Sequence, residues 1–96
     1  MTIILQGESI GSESDFHRAL SQQLDLGSHY GHNLAALWDR LTTDVERPLH
    51  LVWKDSSTSR KLMGEATFHA IVRLLQDVER QDIELERTEV FTFTHE

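Results

Sequence analysis

The 96-residue chain contains no cysteine. That excludes a disulfide, a thiolate nucleophile and a Cys-type zinc site. There is a single proline, Pro48, so only one position must lack a backbone donor. No stretch approaches the ~20 apolar residues of a membrane-spanning helix. Basic residues are scarce, 9 against 16 acidic ones, which leaves a net charge of -7. Phosphate backbones demand Lys and Arg, so this balance argues against nucleic acid as the direct partner. It favours a cationic partner, although acidity alone also aids solubility. No Walker loop and no G-x-G-x-x-G is present, and no nucleophilic triad is expected. The start, MTIILQGESI, carries no basic leader and too short an apolar run for a signal peptide, so a cytoplasmic chain is expected.

What is present suits a folded chain. Apolar residues make up 39% and charged residues 26%, a composition that fits one globular domain over residues 1–96. The β-rich run Thr2–Leu5 predicts a strand over about 1–6, ended by Gly7. Ser12 and Asp15 resemble a capping box. Behind them Phe16, Leu20 and Leu24, with Ala19 alongside, predict a helix over 13–25 that stops near Gly27.

The stretch Tyr30–Thr42 reads YGHNLAALWDRLT and organises the rest. Asn33 suits an N-cap, because its side-chain oxygen can accept from an otherwise orphan amide. Leu34, Leu37, Trp38 and Leu41 then fall on one helical face. Ala35, Asp39 and Thr42 fall on another. Gly31 allows a tight turn just before the cap.

Beyond Asp44–Arg47, Pro48 belongs at the start of a strand over 48–54. Both faces of that strand are largely apolar, which predicts cover on both sides or nearly so. Asp55-Ser56-Ser57 opens a short helix near 57–63, and Gly64 stops it. A longer helix follows from Glu65, with Phe68, Ile71, Val72, Leu75 and Val78 as its buried stripe. The last strand is expected over 88–94, with Gln81–Arg87 a loop or frayed helix end. Strands separated by helices predict parallel pairing. The sum is a two-layer α/β domain, a three-stranded parallel sheet packed with about four helices.

Tyr30-Gly31, Asn33-Leu34, Ala36-Leu37-Trp38-Asp39 and Leu41 resemble the central motif of the barstar family. Its members are small intracellular inhibitors of barnase-type, guanyl-specific microbial ribonucleases. The likeness extends more weakly over most of the chain. It implies a partner-binding surface over 29–43, led by Asp39, which stands in for a substrate phosphate inside the ribonuclease cleft. A carboxylate can accept paired bonds from the Arg, Lys and His donors of such a cleft. Trp38 is expected to be partly buried and to border the interface. Gly31 and Asn33 hold the loop and start the helix, and Tyr30 belongs to core or rim. The chain departs from the family pattern at His29, where an aromatic residue is usual, and at Ala35, where a second acid is usual. Thr42 completes the face, and Asp77 is the best match for the family's acid on the late helix, with Glu79 and Gln81 following it. The implied partner is a basic, barnase-like ribonuclease, met by a protein that is monomeric when free and needs no cofactor.

Each of these features has a plainer reading. Most Asp residues are ordinary exposed helix residues, and Trp38 is first of all a core neighbour. The acids from Asp77 to Glu89 are expected to be mainly a solvated helix end and loop, some of them steering a basic partner. His29 and His32 lie three apart without an evident third ligand, so no metal site is expected. His17, His50, His69 and His95 are assigned to surface or sheet-edge positions. The main rival function is a same-fold regulator of a partner that is not a nuclease.

Overall fold

Alternation along the strands decides which face of the sheet is covered. In β1 (Thr2–Gln6) Ile3 and Leu5 are buried, and Thr2, Ile4 and Gln6 face outward. In β2 (Leu49–Lys54) Leu49, Leu51 and Trp53 are buried. In β3 (Phe91–His95) the buried pair is Phe91 and Phe93. The strands pair in parallel in the order β1-β2-β3, with Ile3 beside Leu51 and Leu51 beside Phe93. This register gathers every buried strand residue onto one face.

Four helices complete the domain: α1 (Glu13–Gln23), α2 (Leu34–Thr43), α3 (Ser56–Met63) and α4 (Glu65–Glu84). Helices α1, α2 and α4 place their apolar stripes against that one face, while α3 buries Ser56 and Ser59. The Trp53 ring packs against Phe16 of α1 at 5.1 Å and Phe68 of α4 at 5.3 Å between centroids. Its indole N–H donates to Ser59 Oγ of α3 (3.1 Å), and that hydroxyl donates to the Gly7 carbonyl (2.9 Å). A Cβ on Gly7 would lie 2.2 Å from the Asp55 carbonyl oxygen, so only glycine allows this approach. All 96 residues are described in this computed structural model.

The expectation that β2 is covered on both sides is corrected. His50 and Val52 remain partly accessible, as does Thr92, while Ile4 and Thr94 are exposed. The open face is built instead from polar and β-branched side chains that tolerate water. His50 is hydrogen-bonded across the strands to Thr92, which places it on the central strand and not at an edge.

The boundaries also shift. The Ser12 hydroxyl caps α1 through Asp15 N–H (3.0 Å), while the Asp15 carboxylate reaches back to Gly11 N–H (3.0 Å). The box is therefore stretched by one residue. Asp55 precedes α3 in a left-handed conformation, without a side-chain cap bond. Gly64 (φ 93°) joins α3 to α4; its N–H donates to Arg60 O, and its own carbonyl accepts from Phe68 N–H. Helix α4 continues to Glu84, so Gln81–Glu84 is helical and not loop, and β3 begins only at Phe91. The cause is Asp82, which the fold draws inside. No helix is long and apolar enough to cross a membrane.

Candidate functional site

Helix α2 begins where the sequence predicts. Asn33 Oδ1 accepts from Ala36 N–H at 2.8 Å, and Asn33 Nδ2 donates to the Gly31 carbonyl at 3.3 Å. One residue thus starts the helix and ties the turn before it. Leu37 and Leu41 are fully buried, and Leu34 and Trp38 are half-buried against the core. Their burial holds the opposite face rigidly toward solvent. Ala35 and Asp39, one turn apart, are both exposed there. The Asp39 carboxylate forms no ion pair and no hydrogen bond; only its backbone carbonyl is used, by Thr42 and Thr43. The Thr42 hydroxyl donates mainly to the Trp38 carbonyl (2.7 Å) and more weakly to that of Asp39 (3.4 Å), so it braces the helix from within.

The loop before α2 is anchored by a residue that sequence reasoning misplaced. His17 is not at the surface but fully buried, on the inner side of α1. Its Nε2 donates to Glu13 (3.0 Å), which leaves Nδ1 to accept the Tyr30 hydroxyl at 2.5 Å. Burial first, and then the nearby Glu13 charge, push the Tyr30 phenol above its ordinary range, so it stays a donor at all working pH values. His32 stacks obliquely on Tyr30 at 5.0 Å and lies 5.9 Å from the His17 ring. His32 also sits at φ 53°, in the left-handed region. His29 and Gly31 are exposed on the same loop. The sequence offers only the pairing with Glu13 one helical turn earlier, which does not by itself distinguish a buried histidine from a surface one.

Between α2 and α4 runs an open groove of about 520 Å³. Leu34, Ala35 and Trp38 line one side, and Ala70, Arg73, Leu74 and Asp77 the other. Asp77 therefore shares this groove with Ala35 and Trp38. Its carboxylate pairs with Arg80 at 2.7 Å on the same helix.

The other late acids are not a simple solvated face. Asp82 is wholly buried. It accepts from Arg47 Nε at 2.7 Å and from Phe91 N–H at 2.7 Å, and Arg87 lies 3.4 Å away. Burial opposes its charge, but the Arg47 hydrogen bond, the Phe91 amide and the two cations outweigh this and hold the carboxyl below its usual range. Arg47 also donates to the Val45 and Leu41 carbonyls, fastening the end of α2 ahead of the cis Arg47–Pro48 bond. Glu79 accepts from Phe93 N–H at 2.7 Å. Two acids one turn apart on α4 thus satisfy amides of the edge strand β3, where a fourth strand would otherwise sit. Glu84, Glu86 and Glu89 are exposed.

Two chemical alternatives can be placed. Gly7-Glu8-Ser9-Ile10-Gly11 spells G-x-S-x-G, a string that the expectation of no triad overlooked. Ser9 is exposed there, and no histidine bonds its hydroxyl: His17, His50, His69 and His95 are engaged by Glu13 and Tyr30, Thr92, Glu65 and Ser56 respectively. No three His, Asp or Glu side chains converge as metal ligands would.

A three-stranded parallel sheet with four helices on one face, and an exposed capped helix that follows β1 and α1, defines a barstar-like α/β domain. The family model described as "Barstar (barnase inhibitor)" matches residues 1–96, and the chain belongs to that family. It is also similar to a Bacillus subtilis (strain 168) protein named "Putative ribonuclease inhibitor YrdF", with 40% identity over 62 residues, which span 65% of this chain and 68% of that one.

Proposed function

We propose that this protein inhibits a small, basic, guanyl-specific ribonuclease by occluding its active-site cleft. The loop and helix over 29–43 enter the cleft, and Asp39 occupies the position of a substrate phosphate. Such a protein acts in the cytoplasm as the immunity partner of a secreted or toxin-type enzyme. Family membership and the name of the Bacillus subtilis relative support the inhibitor class. The observation that carries the mechanism is the state of Asp39: exposed, unpaired and mounted on a helix whose other face is buried. A carboxylate kept free of internal partners loses no existing bond when it meets a cationic cleft. The net charge of -7 favours encounter with a basic enzyme.

The test is inhibition of a panel of barnase-type ribonucleases by the wild type and by Asp39→Ala. Truncating a central, desolvated anchor costs about 2 kcal/mol or more of binding, a loss of roughly thirtyfold. Equal inhibition by both proteins overturns the phosphate-mimic mechanism. Failure to inhibit any such enzyme favours a regulator of another partner.

A further inference from the structure

The arginines of this chain are nearly all committed. Arg18, Arg40, Arg47, Arg60, Arg80 and Arg87 each stand within 4.0 Å of a carboxylate. Arg73 is the exception: it has no carboxylate partner, and its guanidinium makes no hydrogen bond. It lines the apolar groove between α2 and α4, in a chain where acids outnumber bases by 16 to 9. The nearest acid along the groove, Asp77, is already paired with Arg80.

We infer that Arg73 is a specificity-determining residue, and that the groove takes an apolar side chain of the partner ribonuclease with a partner carboxylate beside it. The inference rests on the inhibitor reading, since the groove shares Ala35 and Trp38 with the Asp39 face. Its physical basis is charge complementarity around an apolar seat. Ala35 and Ala70 are small, so the groove stays open above Leu34, Trp38 and Leu74. A side chain seated there displaces water from beside Arg73. A guanidinium losing water in that way must be matched by an anion, or binding is penalised. Arg73 therefore does two things. It rewards a partner whose cleft rim bears Asp or Glu next to the seated residue, and it rejects an enzyme that presents Lys or Arg there. Asp39 and Arg73, each without an ion-pair partner, make opposite demands on one partner: a cationic cleft and an acidic rim.

The experiment is a titration of barnase-type ribonucleases, barnase included, against wild type, Asp39→Ala, Arg73→Gln and Arg73→Glu. The enzyme inhibited best is then scanned by replacing each rim Asp or Glu with its amide. Arg73→Glu is expected to weaken inhibition of that enzyme about tenfold or more, and Arg73→Gln by less. One amide replacement is expected to lose its effect in the Arg73→Gln background, which shows direct coupling. Circular dichroism and thermal midpoints of the Arg73 variants should match wild type, because the residue is exposed and unpaired. If Arg73→Glu inhibits as well as wild type while Asp39→Ala fails, Arg73 has no such role and the cleft-plugging reading stands. If Arg73→Glu fails while Asp39→Ala still inhibits, the groove contact stands and the phosphate mimic does not. Inhibition of no ribonuclease overturns both.

Discussion

The Tyr30 hydroxyl and His17 Nδ1 lie 2.5 Å apart, joining the loop before α2 to the buried face of α1. The bond runs from an exposed loop into the core, so a fully buried residue fixes the shape of that loop. Tyr30→Phe removes the donor and leaves a buried imidazole nitrogen unpaired. A loss of about 1–3 kcal/mol in urea unfolding is expected. His17→Leu removes the nitrogen as well, so the double variant His17→Leu/Tyr30→Phe should cost less than the sum of the two single changes. Strict additivity would show that the bond contributes nothing.

The Arg47–Asp82 pair sets the acid limit of the fold. The Asp82 carboxyl is held below its usual range in the folded state, so its contribution is fully present above the ordinary Asp value near ~4. As pH falls through the lowered native value, that contribution is lost. Stability should therefore decline below about pH 4. Asp82→Asn keeps a partner for Phe91 N–H but strands the Arg47 charge, at a cost of about 3 kcal/mol or more at pH 7. Its stability profile should also be flatter than wild type in the acid region, measured by urea midpoints from pH 7 downward.

Glu79 guards the outer edge of β3 through Phe93 N–H. Glu79→Ala exposes that amide on an edge strand. A loss of about 1 kcal/mol and faster aggregation on mild heating are expected, read by light scattering. An unchanged aggregation onset would mean the edge is protected by something else.

Net acidity should act on encounter more than on residence. Added salt from about 0.05 to 0.5 M shortens the screening length from over ~10 Å to a few ångströms. The association rate with the inhibited ribonuclease should then fall severalfold, with a smaller change in dissociation rate. Stopped-flow fluorescence of Trp38 offers a direct readout, because that ring is half-buried beside the groove.

Periodicity made α2 readable before any coordinates. Leu34, Leu37, Trp38 and Leu41 stand at helical spacing, and Asn33 is a local cap, so the exposed position of Asp39 follows from residues within two turns of it. The strands were legible in the same way, through alternation around Leu51 and Phe91. The final turn of α4 was not, because the charge pattern there suggests a solvated end. Asp82 becomes an interior residue only when Arg47, 35 positions earlier, folds against it. His17 was misread for the same reason: its burial depends on Tyr30, 13 residues away.

By itself, then, the order of residues determined the helices, the strands, the cap at Asn33 and the outward face that carries Asp39, since each depends on neighbours a few positions apart. The tertiary structure alone decided that one sheet face stays open and that Asp82 and His17 are interior. It also decided that Arg73 and Trp38 line one groove, where the Asp77 carboxylate pairs with Arg80 instead of Arg73. Those outcomes depend on which distant groups share a low-dielectric space, and sequence spacing does not encode that.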